Sequence, residues 1–372
     1  MRKEMSTIEK LVFSLNRIGE VKNQELTKEI GFLKIRKAVK KLVDNLFNKK
    51  SILLPQIRGN YMKIFLITFF TFLMLTNSFG QRVEKIYLNE NDRTISRYLT
   101  VLPKKIPYKG YMLLIPSFYE SPEHVMEQTD LPILAAKQGI LTIIPTFKTG
   151  IASFGIDSLT QLSFKEILED VHNRYNLTNL NFYLGGFSIG GSCAVKFAED
   201  AVKDNYQYQP DAIFVVDPPL DFIRFYNSMK RTLRIAPDSK LAKENIYLIQ
   251  RIEFEMQGSP TTAFDTYIEK SPYCFSDTNQ TAIKHIINIP IRYYTEPELD
   301  WKMKDFGSAD YSDLNALDGS CMINELLLLG NKNAELILTK NKGYRRPNHR
   351  KQPHSWSIID EDELIQWLQS LK

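Results

Sequence analysis

The sequence predicts an α/β fold with a mostly parallel central sheet and helices on both faces. After residue 81, short β-rich apolar runs alternate with helical stretches, and Gly or Pro residues separate them. Residues 111–115 form a continuous apolar run that ends at Pro116. Such a run is typical of an interior parallel strand, because that strand is buried on both faces.

The predicted elements follow one another in a regular order. Residues 83–88 and 96–102 predict two strands of an antiparallel meander, with a turn at residues 89–92. Gly139 suits the end of a helix, and Pro145 suits the end of a strand. The later strands are predicted at residues 111–115, 140–144, 181–184, 212–216, 289–294 and 334–339. The helices are predicted at residues 123–138, 164–175, 192–203 and 361–371.

A segment of about seventy residues, 218–288, interrupts this alternation. It predicts helices at residues 220–233 and 241–256 and is rich in Tyr, Phe and Arg. Because the segment follows the carboxyl end of a strand, it would lie over the crevice where open α/β sheets bind ligands. We therefore expect a cap here, and a surface insertion without a binding role is the alternative.

The composition is that of an ordinary globular protein, since 43% of the 372 residues are apolar and 24% are charged. The net charge of +5 is concentrated near the start, because residues 1–61 carry 14 basic and 6 acidic side chains. Residues 62–372 therefore have a balance of −3. This main body lacks an electrostatic motive for binding nucleic acid or acidic lipid, and we expect neither partner.

Residues 62–80 have the pattern of a secretory signal peptide. Lys63 precedes the uncharged apolar run 64–75, and Ser78 and Gly80 stand three and one residues before the expected break. This run is too short to cross the bilayer core comfortably, which takes about 20 residues. We expect a secreted or periplasmic protein beginning at Gln81. An uncleaved membrane anchor and a buried core helix are the alternatives.

Residues 1–61 precede this signal, although signal peptides stand at the start of a chain. The simplest hypothesis is that translation begins at Met62 and that residues 1–61 are an upstream in-frame extension. Residues 6–9 nevertheless match a capping box, and residues 24–48 have apolar positions at helical spacing among many lysines. If the extension is translated, we expect a basic helical cytosolic tail.

Residues 186–190 fit the pattern G-x-S-x-G between a predicted strand and a predicted helix. The glycines at both ends let the backbone pack closely at a strained turn. This turn would expose the Ser188 hydroxyl beside a helix N-terminus, whose N–H groups can stabilise an oxyanion. We predict that Ser188 is a nucleophile, and the alternative is a glycine turn that only packs.

A serine nucleophile needs a base, and the chain has five histidines. His124 and His172 precede the serine in predicted helices, and His285 has apolar neighbours. His349 and His354 both lie after the last predicted strand, where this base is expected. Four basic residues surround His349 and would reduce its basicity, so we predict His354 as the base.

The base in turn needs a carboxylate, which we expect just past a strand between the serine and the histidine. Three candidates, Glu296, Glu298 and Asp300, follow the predicted strand at residues 289–294. Asp217 follows the preceding strand and is a fourth candidate. Asp300 is our first choice.

Two backbone donors are needed for an oxyanion hole. The first should be the N–H of Ile189, directly after the nucleophile. The second should come from the loop after the strand at residues 111–115, from Ser117 or Phe118. This loop lacks the HG or HGGG pattern common in esterases, so the choice between the two stays open.

The order of serine, acid and histidine, the turn after a central strand and the histidine before the last helix resemble the α/β-hydrolase superfamily. The resemblance covers about residues 83–372, and residues 98–118 are most similar to its compact esterase branch. It implies acyl transfer through an acyl-enzyme on Ser188, with His354 as the base. A carboxylic ester hydrolase acting on a small molecule is the first expectation. A peptidase of small substrates and a noncatalytic binding module are the alternatives.

No cofactor is implied, because the sequence has no P-loop, no G-x-G-x-x-G after its first strand, no HExxH and no EF-hand pattern. The three cysteines, Cys193, Cys274 and Cys321, lie far apart and form no metal knuckle. We expect them to be small buried residues.

Overall fold

The computed structural model describes residues 81–152, 154–307 and 309–371. The predicted signal peptide at residues 62–80 and the basic extension at residues 1–61 lie outside the described residues and stay predictions. Among the described residues, no helix combines the length and the apolar character that a bilayer crossing requires.

Eight strands form one sheet, and its mostly parallel pairing confirms the predicted fold class. The strands are β1 Arg82–Tyr87, β2 Arg97–Leu102, β3 Gly110–Ile115, β4 Ile140–Thr146, β5 Asn181–Phe187, β6 Ala212–Val216, β7 Ile291–Thr295 and β8 Ala334–Leu338. Their order is β1-β2-β4-β3-β5-β6-β7-β8. The pairs β1/β2 and β2/β4 are antiparallel, as the opening meander predicts, and every later pair is parallel.

Helices cover both faces of this sheet. They are α1 Pro122–Gln128, α2 Leu131–Lys137, α3 Ser158–Tyr175, α4 Ile189–Lys203, α5 Phe222–Ile235, α6 Lys240–Met256, α7 Phe264–Lys270, α8 Leu299–Phe306, α9 Ala316–Leu328 and α10 Glu361–Ser370. Along β3, Tyr111 and Leu113 face the core formed with α3, α4 and α9. Met112 and Leu114 face the opposite core, formed with α2 and α10. The continuous apolar run of β3 is thus explained by burial on two faces.

The helix predicted at residues 123–138 is two helices in the structure. Thr129 is extended, with φ −142° and ψ 145°, and separates α1 from α2. Pro132 lies in the first turn of α2, where its missing N–H breaks no helical hydrogen bond. A single continuous helix would have required that N–H, so the prediction of one helix was wrong at this point.

Strand β4 continues through Pro145 to Thr146 instead of ending at the proline. Its parallel pairing with β3 stops at Ile143, while its pairing with β2 includes Pro145 opposite Tyr98. A proline is tolerated here because this part of the strand has a partner on one side only.

The pattern also missed α8 and α9, which lie between β7 and β8. Gly319 interrupts the helical pattern of α9, and a Cβ there would lie only 2.3 Å from the ring of Tyr293. This glycine therefore lets the helix pack closely on the sheet, although glycine is a poor helix former. Helix α8 begins at Leu299, in a stretch that the sequence pattern treats as a loop.

Residues 218–288 contain α5, α6 and α7, which we call the cap. The cap has an apolar cluster that includes Phe222, Ile249 and Tyr267. The cluster also contains Ile189, at the start of α4, and Phe118 packs against it. The cap thus packs directly on the two loops that the sequence predicts around the nucleophile.

Cys193 and Cys274 are buried, as expected, and Cys321 is partly exposed. None of the three forms a disulfide bond.

Candidate active site

Ser188 lies at the tight turn between β5 and α4. Its backbone has φ 52° and ψ −127°. This conformation is energetically unfavourable for any residue that has a Cβ. A Cβ at Gly186 would lie 2.3 Å from the Gly190 carbonyl oxygen, and a Cβ at Gly190 would lie 2.4 Å from the Ile115 carbonyl oxygen. Both glycines of the pattern are therefore required by close backbone approach.

His354 lies beside this serine. Its Nε2 is 2.9 Å from the Ser188 Oγ, and its Nδ1 is 2.7 Å from Oδ2 of Asp217. An ionised carboxylate only accepts hydrogen bonds, so the proton of a neutral imidazole lies on Nδ1. Nε2 is then free to accept the serine proton. The structure thus brings together Ser188, His354 and one of the four candidate carboxylates.

The carboxylate that contacts His354 is Asp217, not Asp300, so our first choice was wrong. Asp217 directly follows β6 and has a positive φ of 49°. Its Oδ1 accepts a hydrogen bond from the Thr295 hydroxyl at 2.7 Å, and its carbonyl oxygen accepts one from Asn315 at 2.9 Å. These contacts hold the carboxylate towards the imidazole.

The three other candidate carboxylates follow β7, and none of them is hydrogen-bonded to His354 in the described structure. Asp300 is exposed in the first turn of α8. Glu298 forms an ion pair with Lys351 at 3.3 Å. Glu296 is buried and accepts hydrogen bonds from the N–H groups of Lys342 at 2.8 Å and Gly343 at 3.1 Å. Glu296 therefore fixes the segment after β8 that leads to His354.

The other histidines have different surroundings. His172 Nε2 is 2.8 Å from the Tyr111 hydroxyl, and His124 Nδ1 is 3.4 Å from the Glu120 carboxylate. His349 is exposed, with a positive φ of 51°. Burial and neighbouring lysines lower the pKa of His285. Of the five histidines, all of which lie in the described residues, only His354 is hydrogen-bonded to the Ser188 hydroxyl.

The structure distinguishes between the two candidates for the second oxyanion donor. The N–H of Ser117 donates to the Glu120 carboxylate at 2.9 Å and is therefore occupied. The N–H groups of Phe118 and Ile189 have no hydrogen-bond partner among the described residues. Phe118 and Ile189 both line the same cavity as Ser188, so this pair is the better candidate for the hole.

Glu120 is a site residue that the sequence analysis missed. Its side chain is 4% exposed and accepts hydrogen bonds from Ser117 and from the indole Nε1–H of Trp356. Burial raises its carboxyl pKa, while these donors and the charges of His124 and Arg345 oppose the rise. Its position two residues after Phe118 was the only signal in the sequence.

A cavity of about 470 Å³ opens over Ser188, a volume typical of small-molecule sites. Its lining includes the loop after β3, cap helices α5 and α6, helix α8 and the His354 loop. Burial lowers the pKa of the Lys302 ammonium in the α8 wall, and this ammonium donates to the Asp313 carbonyl oxygen. The side chains that these segments contribute to the cavity lining include Phe118, Phe225, Leu241, Asn245, Leu248, Trp301 and Lys302.

Within the described part of the chain, no cluster of three or more His, Cys, Asp or Glu side chains could hold a metal ion.

Comparison with known proteins supports the fold. No family model and no curated protein matches the chain. An acylaminoacyl peptidase from Pyrococcus horikoshii is similar in structure, with a TM-score of 0.50 and 13% identity over 80% of this chain but only 42% of the peptidase chain. MPT51 of Mycobacterium tuberculosis is similar with a TM-score of 0.52 and 11% identity, over 79% of this chain and all of that one.

At these identities the likeness is one of fold. The eight-stranded sheet and the turn after its central strand agree with it. This chain therefore has the α/β-hydrolase fold.

Proposed function

We propose that this protein is a serine hydrolase that cleaves carboxylic esters through an acyl-enzyme. The observation that carries the proposal is the chain of two hydrogen bonds from the Ser188 Oγ to His354 and from His354 to Asp217, at 2.9 and 2.7 Å. A serine hydroxyl becomes a good nucleophile when a positioned base accepts its proton. The carboxylate orients that base and stabilises the imidazolium that forms.

In the first half of the proposed reaction, the Ser188 Oγ attacks the ester carbonyl carbon while His354 Nε2 accepts the hydroxyl proton. The carbonyl oxygen becomes an oxyanion, which the N–H groups of Phe118 and Ile189 stabilise. The carbon–oxygen bond to the alcohol then breaks, and His354 donates its proton to the leaving alkoxide. The products are an alcohol and the acyl-enzyme.

In the second half, a water molecule attacks the acyl-enzyme and gives its proton to His354. The tetrahedral intermediate forms again at the same two N–H groups. The bond to the Ser188 Oγ breaks, and this oxygen takes the proton back from His354. The carboxylic acid is released, and the enzyme returns to its starting state.

An ester is favoured as the substrate by the cavity beside the serine. Phe118, Phe225 and Leu248 provide apolar surface there, which suits a neutral substrate with a hydrocarbon part. Peptide hydrolysis by the same groups and ligand binding without catalysis are the competing outcomes of the experiment below.

The test is release of nitrophenol from 4-nitrophenyl esters of short and medium acids by the full chain. We expect turnover that is lost in Ser188→Ala and His354→Asn. His349→Asn is the matched control, because His349 is an exposed histidine of the same region, and it should keep native turnover. A fluorophosphonate probe should label Ser188 in the native protein.

Other results would overturn the ester proposal. Cleavage of aminoacyl 4-nitroanilides without ester turnover would indicate a peptidase. A folded native protein that neither turns over these substrates nor reacts with the probe would be a noncatalytic binding module.

We also propose that residues 62–80 direct export of the enzyme. The proposal is supported by the signal-peptide pattern of this segment. Amino-terminal sequencing of the natural protein tests the idea. A mature chain that begins at Gln81 is expected, and a retained segment 62–80 would overturn it.

A further inference from the structure

Cap helix α6 presents one side to the active-site cavity. Leu241, Glu244, Asn245 and Leu248 all line the cavity, and their spacing of three, four and seven residues places them on one face of the helix. Phe225 of α5 lines the same cavity. Asn245 is therefore a carboxamide between two leucines in the α6 wall of the cavity that Ser188, Asp217 and His354 also line.

The side chain of Asn245 is buried and unpartnered within the part of the chain that the structure describes. It is 6% exposed, and among the described residues its carboxamide makes no hydrogen bond. The polar atoms of this carboxamide are not fully enclosed by protein. They therefore remain accessible from the cavity that Asn245 lines. The other polar cavity residues of similar burial all have hydrogen-bond partners, and they are Ser188, Asp217, Thr295 and Glu296.

This arrangement costs stability in the free protein. Asn is a poor helix former, and a carboxamide that is mostly buried loses part of its hydration without gaining a hydrogen bond from the described residues. A leucine at this position would continue the apolar stripe of α6. The cost is offset when a bound molecule supplies the missing partner.

We propose that Asn245 binds a neutral oxygen group of the substrate, such as a hydroxyl, an ether or a carbonyl oxygen, within an otherwise apolar acyl or alcohol part. This inference rests on the proposed ester hydrolase function and specifies its substrate class. A neutral group is favoured because Leu241, Leu248 and Phe225 add apolar surface to the cavity walls on α5 and α6, where a charge would be costly to desolvate.

The experiment compares esters that differ by one oxygen in place of one methylene. One series contains 4-nitrophenyl hexanoate and its analogues with an ether oxygen at the fourth or fifth acyl position. The other series contains hexyl butanoate and analogues with an ether oxygen in the alcohol chain. Their hydrolysis is measured by the release of acid. The full chain is tested as native protein, Asn245→Leu and Asn245→Ala, with Gln250→Leu as the control because Gln250 lies exposed on the same helix.

We expect the native protein to favour at least one oxygen-bearing ester by about tenfold or more in kcat/KM over its methylene analogue. Asn245→Leu should bring this ratio close to one and should melt at the native temperature or above it. Gln250→Leu should keep the native ratio. If Asn245→Leu does not fold, the ratio measured with Asn245→Ala decides.

Three results would overturn the inference. A native protein that is active but indifferent to the oxygen would do so and leave the ester function standing. Asn245 variants that keep the native preference for the oxygen-bearing ester would also overturn the inference and leave the ester function standing. If these variants also melt at a lower temperature, Asn245 has a structural role. A native protein without turnover on either series would contradict the ester function itself, and this inference with it.

Discussion

The carboxylate of Glu120 accepts a hydrogen bond from the indole Nε1–H of Trp356, which lies 3.2 Å from each of its oxygens. The same carboxylate accepts the N–H of Ser117 at 2.9 Å. Trp356 is two residues after His354, and Ser117 directly precedes Phe118. Glu120 therefore joins the loop of Phe118, which we propose as an oxyanion donor, to the loop of His354, the proposed base.

We expect Glu120→Gln to lower kcat with little change in KM. In glutamine one of the two oxygens is replaced by an N–H₂ donor. Because the Trp356 Nε1–H lies 3.2 Å from both oxygens of Glu120, that donor would lie against the indole N–H in either orientation of the carboxamide. Displacement of the Phe118 N–H should reduce kcat by roughly tenfold to a hundredfold, somewhat less than outright loss of an oxyanion donor. Steady-state kinetics on a 4-nitrophenyl ester measures the effect.

Glu123→Gln is the control for this variant. Glu123 lies three residues away. Burial raises its pKa, but Arg97 and Lys85 outweigh this effect and lower the pKa to about 2. Among the described residues its side chain is not hydrogen-bonded to the loop of Phe118 or the loop of His354. Its replacement should leave kcat near the native value. An equal loss of kcat in both variants would contradict the role of Glu120.

Asp217→Asn and Asp300→Asn should differ sharply. The asparagine at 217 could present its N–H₂ group to His354 Nδ1 and so favour the tautomer that cannot accept the serine proton. We expect a loss of kcat of about 10⁴-fold, the scale of such a change in a serine protease triad. Asp300→Asn should keep kcat, because Asp300 is exposed on α8. The reverse ranking would restore Asp300 as the acid.

Ser188→Gly should be more stable than Ser188→Ala. Both variants lack the hydroxyl, but only glycine removes the Cβ that makes φ 52° and ψ −127° unfavourable. The relief of strain, about 1–3 kcal/mol, exceeds the extra chain entropy of glycine, about 0.4–1 kcal/mol. Urea unfolding should give Ser188→Gly the higher free energy of unfolding by about 1 kcal/mol, and a value at or below that of Ser188→Ala would contradict the strain.

Glu199 should make the stability depend on pH. Its two carboxylate oxygens are buried without a hydrogen bond among the described residues, and burial raises its pKa well above 4.5. Lys196 lowers that pKa only in part, because its ammonium contacts Asp200 and the Glu269 carbonyl oxygen.

At a pH above 4.5, the unfolded chain has lost the Glu199 proton while the folded chain still holds it. The folded state then binds more protons, so this residue reduces stability as the pH rises towards its raised pKa. Glu199→Gln should therefore melt higher than the native protein at pH 8 and about equally at pH 4.5. Glu169→Gln is an exposed control on α3. A gain for Glu199→Gln that does not grow with pH would contradict the prediction.

Local patterns in the sequence were enough to predict the fold class and two members of the candidate site. Apolar runs of five or more residues mark strands that are buried on two faces, as β3 shows. Gly186 and Gly190 mark the turn at Ser188, because the close approach of backbone there admits no Cβ. His354 could be selected because its chain neighbours differ from those of His349.

The acid and the second oxyanion donor depended on contacts between segments that are distant in sequence. Strand β6 lies next to β5 and β7 lies one strand further, so the residue after β6 is the one close to Ser188. This order selects Asp217, and the start of α8 at Leu299 leaves Asp300 exposed. Neither the strand order nor that helix has a signal in the residues around the two carboxylates.

The sequence by itself therefore determined the alternation of strands and helices, the glycine turn at Ser188 and the segment that contains His354, because these depend on short-range periodicity and backbone sterics. The tertiary structure decided that Asp217 contacts His354, that Glu120 occupies the N–H of Ser117, and that Asn245 faces the cavity. Each of these depends on which groups meet across packed elements and on which hydrogen bonds remain unfilled when water is excluded.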